Sequence, residues 1–168
     1  MKLSKLYSNK PDLFSPIDFQ AGLNVVLAEI RLPENRSRDT HNLGKTTLVR
    51  VIDFCFLAGR DKDFFLFKHK DIFEDFVFFL EIGLADATYV TVRRSVAEHS
   101  KISFKKHEAA HQDFTDLSED DWDHYGLPLE RAREMLDGFL DWRAVSPWDY
   151  RKGLGYQLRT QDDYNDVF

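Results

Sequence analysis

Residues 39–47 read DTHNLGKTT, and the way this stretch is taken decides what the chain around it has to be. Gly44-Lys45-Thr46 has the form of the closing half of a phosphate-binding loop, G-x-x-x-x-G-K-[ST], with Asp39 where the first glycine stands. Such a loop works by turning backbone N–H groups inward at the positive end of the helix that follows. Asn42, Leu43 and Gly44 would supply those amides and Lys45 a charge reaching the β- and γ-phosphates. The Thr46 hydroxyl would ligate Mg²⁺, and Thr47 would touch the α-phosphate. Asp39 opens the loop, where a side chain is tolerated at negative φ, and aspartate also accepts positive φ better than most residues. A lysine in the first turn of a helix is disfavoured by the dipole unless an anion shares the site. That argues against Lys45 as an ordinary surface lysine.

The flanks fit the motif. Leu23–Ile30 (LNVVLAEI) is apolar on both faces and predicts a buried strand. Residues 31–43 are polar, contain Pro33 and predict a loop. From Gly44 the pattern GKTTLVRVIDFCFLAG predicts a helix. Leu48, Val51, Ile52 and Cys55 share one face, Phe54, Phe56 and Leu57 widen it, and Gly59 is placed to stop it.

Upstream, residues 3–7 predict a short strand and Phe14–Phe19 another, with Pro16 marking an edge or a bulge. Downstream, residues 75–82, 88–94 and 101–106 predict a three-stranded antiparallel meander, with a turn at 85–87. The last third reads as helical. Ser118 caps a short helix with Asp121 at its third position and Gly126 at its end. Pro128 opens a second, striped by Leu129, Ala132, Met135, Leu136 and Phe139. Ser146-Pro147-x-Asp149 signals a further start, beyond which Gly153 and Gly155 weaken helix formation. With no repeat and no clean linker, the 168 residues read as a single α/β domain. Residues 1–60 hold strands, loop and helix, 75–106 the meander, and 118–168 the helical part.

Composition narrows the class. A formal net charge of -6 excludes a basic domain that coats nucleic acid by charge alone. The single cysteine, Cys55, cannot form an internal disulfide and suits a reducing compartment. The N-terminus lacks the apolar core of a signal peptide, and no stretch reaches roughly 18 apolar residues. A cytoplasmic protein without a membrane span is expected.

The segment IDFQAGLNVVLAEI…DTHNLGKTTLVRVIDF resembles the opening of ATPase heads of the structural-maintenance-of-chromosomes (SMC) and RecF type. In that family F-x-x-G-L-N-x-I leads to G-x-N-G-x-G-K-[ST]-x-L and a helix. Phe19, Gly22, Leu23, Asn24, Gly44, Lys45, Thr46 and Leu48 match, whereas Asp39, His41 and Asn42 replace the family's glycine, asparagine and glycine. The long loop and the HNLGKTTL wording look most like SMC-like ATPases of bacterial anti-phage defence, of the Lamassu and three-component ABC types. The resemblance covers residues 1–106 and is specific over 19–48.

It implies a P-loop NTPase lobe with a mixed sheet, an antiparallel meander and C-terminal helices, binding ATP and Mg²⁺. It further implies a C-terminal half, from the same or another chain, that brings the signature motif, the Walker B acids and the switch histidine. A second head, effector subunits and DNA reached through the assembly complete the implied partners. Gln157 and Gln161 are candidates for the family's metal- and water-sensing glutamine. FVFFLEI imitates a Walker B strand at Glu81 but lacks the aspartate just before it, so it reads as a meander strand.

Other readings compete. HEAAH, residues 107–111, matches the H-E-x-x-H of zinc hydrolases, which needs both histidines on one helix face. Its polar flanks, with Phe114 and Leu117 where a metzincin has glycine and histidine, favour a solvated turn or short helix instead. The acidic run Asp113–Asp123 fails EF-hand spacing because Ala132 stands at the bidentate position counted from Asp121. A stand-alone P-loop kinase or GTPase would need an aspartate-ending strand after the loop. A non-catalytic module with a relic loop would bind no nucleotide.

Overall fold

A computed structural model describes residues 1–26, 45–141 and 150–157, without the side chains of Lys45, Gly155, Tyr156 and Gln157. Its centre is a six-stranded antiparallel sheet: β1 (Lys2–Ser8), β2 (Ile17–Asp18), β3 (Val77–Gly83), β4 (Tyr89–Ser95), β5 (Lys101–His107) and β6 (His124–Pro128), in the order β2-β1-β3-β4-β5-β6. The helices are α1 (Lys45–Cys55), α2 (Phe65–Lys68), α3 (Lys70–Phe73), α4 (Leu129–Leu140) and α5 (Tyr150–Gln157).

The predicted meander is β3-β4-β5, with Leu80 opposite Val92 and Val92 opposite Phe104. Period-two alternation sends Phe78, Leu80 and Ile82 of β3 and Val90 and Val92 of β4 to one face, into the main core. Val51, Ile52, Phe54 and Cys55 of α1 and Ala132, Leu136 and Leu140 of α4 cover that face. Burying each large apolar side chain contributes about 1.5–3 kcal/mol, so packing rather than intrinsic propensity holds α1, whose Val49, Val51 and Ile52 are β-branched. Phenylalanines fill the volume between sheet and helices, with Phe54 meeting Phe64, Phe67 and Phe78 at ring separations of 6.0–6.2 Å. The opposite face carries a small second core of Tyr7, Phe79 and Trp122. Tyr7 stacks on Phe79 at 4.8 Å.

Several expectations change. The Phe14–Phe19 strand shrinks to the two-residue edge strand β2, directly after Pro16. Residues 23–26, the start of the expected buried strand, join no ladder, and Leu23, Val25 and Val26 are exposed. Asn24 turns the chain there: its side chain accepts from Gln20 N at 2.8 Å and donates to the carbonyls of Gln20 and Gly22. Residues 27–44, with the rest of that stretch and its loop, lie outside the described residues, as does Ser146-Pro147-x-Asp149. Every strand pairing among the described residues is antiparallel, so the expected mixed character does not appear in them.

Helix α1 ends at Cys55, before Gly59, and Leu57 takes the left-handed turn at φ 65. Ser118 precedes only a 3-10 turn, Glu119–Asp121, and makes no backbone cap. Its Oγ donates instead to the Asp121 carboxylate at 2.6 Å. Gly126 ends no helix but lies within β6 at φ 64, beside an irregularity in the β5–β6 register. A short strand broken by glycine and proline has little local signature, and its pairing with β5 imposes the extended state. Pro128 does open α4. Among the described residues no helix is long and apolar enough to cross a membrane.

Candidate functional site

Helix α1 carries the candidate site at one end and an unusual set of contacts at the other. Its described residues begin at Lys45. Thr46 and Thr47 are exposed, and the first turn holds no acidic residue to oppose an anion. Asn42, Leu43 and Gly44 lie outside the described residues, as do Asp39 and Gln161. Gln157 is the last described residue of α5.

The carbonyls at the C-terminal end of α1 are taken up by side chains from three other elements. Arg94 of β4 donates through Nη1 to Phe54 O at 2.5 Å and Ala58 O at 3.0 Å, and through Nε to His99 O at 2.8 Å. Arg133 of α4 donates to Leu57 O at 3.0 and 2.9 Å. From α5, Tyr150 Oη and Arg151 Nη1 both donate to Phe56 O, at 3.2 and 3.1 Å, and Arg151 also pairs with Asp53 at 2.6 Å. Helix ends leave such carbonyls unpaired and partly negative, which is where cations are favourable.

Arg94 is fully buried and lies 4.2 Å from the centroid of the Phe54 ring. Burial lowers its pKa to about 10, with Arg133 and Arg151 adding to the effect, and it stays charged at neutral pH. The sequence did hold a signal for Arg94. It continues the alternation Val90, Val92 onto the core face of β4, where a charge must find partners. Nothing local marks Arg133, Tyr150 or Arg151.

The HEAAH segment does not lie on a helix. His107 ends β5 and residues 108–111 turn away from the sheet. His107 Nδ1 lies 2.8 Å from Ala109 O, and Nε2 lies 2.9 Å from Thr91 Oγ1. Nδ1 therefore carries the proton in the neutral ring, and Nε2 accepts from Thr91. His111, at φ 61, points its ring at Asp18, 3.2 Å away. Among the described residues no group of three or more His, Cys, Asp or Glu is placed to hold a metal ion.

Glu81 organises this region. It is fully buried on the face of β3 opposite α1 and accepts from Ser4 Oγ at 2.5 Å, His111 N at 2.7 Å and Gln112 N at 3.1 Å. That is a meander-strand carboxylate clamping a turn, with all its acceptor capacity directed at the fold. An open cleft of about 500 Å³ lies alongside, lined in part by Lys2, Ser4, Phe19, Tyr89 and His111.

No protein-family model, curated protein or solved structure matches the chain.

Proposed function

We propose that this chain is the ATP-binding N-terminal lobe of an SMC-like ABC ATPase head. Asn42, Leu43 and Gly44 would cradle the phosphates by their amides, Lys45 would neutralise them, Thr46 would hold Mg²⁺, and Thr47 would contact the α-phosphate. The observation that carries this reading is the position of α1. From Lys45 onward its described residues show Thr46 and Thr47 to solvent with no acid in the first turn, and bury the other end in the core. A carboxylate-free, solvent-exposed helical turn at a Gly-Lys-Thr sequence is what a triphosphate needs.

The lobe has no acid pair suited to catalysis beside the loop among its described residues, because Glu81 is committed to Ser4 and the 111–112 amides. Hydrolysis would therefore await a C-terminal half carrying the Walker B and signature motifs. Engagement of a second head would couple ATP to DNA binding or to effector subunits in the cytoplasm, and the resemblance places such heads in anti-phage defence. Gln157 or Gln161 would sense the metal and the attacking water.

Calorimetric titration of Mg-ATP into this chain and into Lys45→Ala tests the reading. Binding by the parent that is lost in the variant supports it. Equal affinity in both rules out Lys45 as a phosphate ligand, and no binding by either rules out this lobe as a self-sufficient nucleotide site.

A further inference from the structure

Three elements grip the C-terminal end of α1, but not equally. Arg94 comes from the middle of β4 and is wholly buried, and Arg133 comes from α4, whose Ala132 and Leu136 are fixed in the core. The third grip comes from α5. Its described residues, 150–157, include Gly153 and Gly155. Each glycine lowers helix formation by about fivefold relative to alanine, so intrinsic propensity contributes little to this stretch. The helicity of α5 therefore depends on its docking.

Tyr150 and Leu154 are buried in the main core, Tyr150 Oη and Arg151 Nη1 reach Phe56 O, and Arg151 pairs with Asp53. Unlike Arg94, this ion pair meets solvent: the Arg151 and Asp53 side chains are 23% and 37% exposed. Water can open it without disrupting the core. An element of low intrinsic stability held by a solvent-reachable pair is the kind that opens locally while the rest stays folded.

Asp53 stands on α1 eight residues beyond Lys45, about 12 Å along one helix. A group bound at the first turn of α1 restrains the whole rod, including Asp53 and the Phe56 carbonyl that α5 holds. We propose that the Asp53–Arg151 pair is a latch joining α5 to α1, and that it couples the docking of α5 to occupancy of the α1 N-terminal turn by a triphosphate. The coupling rests on the nucleotide reading above, whereas the latch itself does not. Linkage requires it to work in both directions: a bound triphosphate favours docked α5, and docked α5 favours the triphosphate. Arg151 is here a positioning residue that touches no ligand.

The test uses the full chain, with hydrogen exchange of residues 150–157 read with and without Mg-ATP, and calorimetry of Mg-ATP. In Arg151→Ala, exchange in α5 rises about three- to tenfold while β3, β4 and β5 keep their protection. Asp53→Asn does the same to a smaller degree, Arg151→Lys recovers part of the protection, and Asp53→Ala with Arg151→Ala is no worse than Arg151→Ala alone. Mg-ATP slows α5 exchange in the parent, and its affinity falls about two- to fivefold in Arg151→Ala, never by more than the latch itself contributes. Unchanged α5 exchange in Arg151→Ala overturns the latch. Altered exchange with unchanged Mg-ATP affinity overturns the coupling and leaves the latch standing. Failure of the parent to bind Mg-ATP removes the nucleotide reading and the coupling together, and the nucleotide-free exchange data then decide the latch alone.

Discussion

Arg94, in the fourth strand of the sheet, donates a 2.5 Å hydrogen bond to the carbonyl of Phe54, forty residues earlier in the chain near the end of α1. The same guanidinium serves Ala58 O and His99 O, so one buried side chain joins the meander to the α1 terminus. Replacing it with methionine keeps the volume and takes this donor from Ala58 O and His99 O, while Phe54 O keeps the Leu57 amide at 3.0 Å. Each buried unpaired polar group costs about 1–3 kcal/mol, and relaxation makes the sum less than additive. Arg94→Met is expected to destabilise the fold by about 2–4 kcal/mol in urea unfolding. Arg94→Lys should recover little, since an ammonium cannot reproduce the fork. A loss under about 1 kcal/mol for Arg94→Met would show that the carbonyls find other donors.

Glu81 makes a comparable junction on the opposite face, where its carboxylate accepts from Ser4 and from the amides of His111 and Gln112. Lys5 grips the same turn from above through the carbonyls of His111 and Gln112, each at 3.3 Å. Glu81→Gln retains one acceptor oxygen and puts an NH₂ group where an N–H also points. The expected cost is about 2–4 kcal/mol. Limited proteolysis should then cut first within residues 108–112 while β3, β4 and β5 stay intact. An unchanged cleavage pattern would mean that Lys5 alone holds the turn.

How much of this was visible in the sequence depends on how local each cause is. Helix α1 was legible because Val51, Ile52 and Cys55 keep helical spacing, and β3, β4 and β5 because their alternation matches one buried face. The end of α1 was misjudged. Gly59 looked like the stop, whereas Leu57 takes the left-handed position because Arg133 holds its carbonyl across a separation of 76 residues. Strand β6 was missed for a related reason: His124–Pro128 carries a glycine and a proline and is extended only because β5 pairs with it. At the candidate site, the helical state of residues 45–55 followed from their apolar spacing. The grip of Tyr150 and Arg151 on Phe56, 94 and 95 residues away, has no sequence signature.

The β3–β4 turn holds a removable strain. Ala87 is exposed at φ 62, a conformation in which an L side chain crowds the following carbonyl. Thr88 N and Oγ1 both donate to the Asp86 carboxylate and fix the turn from the side, so its geometry does not depend on the alanine methyl. Ala87→Gly relieves the strain at some cost in unfolded-chain entropy. The expected balance is a gain of about 0.5–1 kcal/mol, read as a higher urea midpoint with unchanged slope. A lower midpoint would mean that entropy outweighs the strain.

Cys55 sits without exposure at the last position of α1, and burial pushes its thiol up to about 12, with nearby Asp53 adding to the rise and Arg94 opposing it. An acid whose folded pKa is raised contributes stability that is complete below its unfolded pKa, near 8.5, and is lost as pH climbs towards the folded value. Between about pH 9 and 12 the unfolded chain releases this proton while the folded chain keeps it. Stability should then fall by up to about 1.4 kcal/mol per pH unit from this group. Tyr7, whose phenol is raised by burial, acts in the same direction at higher pH. Comparing the parent with Cys55→Ala isolates the thiol, because Tyr7 is common to both. The parent's advantage at pH 7, about 1–2 kcal/mol for the filled volume, should shrink above pH 9 and reverse before pH 11. Parallel stability curves from pH 7 to 11 would mean that the thiol ionises within the fold, and that α1 opens to solvent at Cys55 far more readily than its packing against the sheet allows.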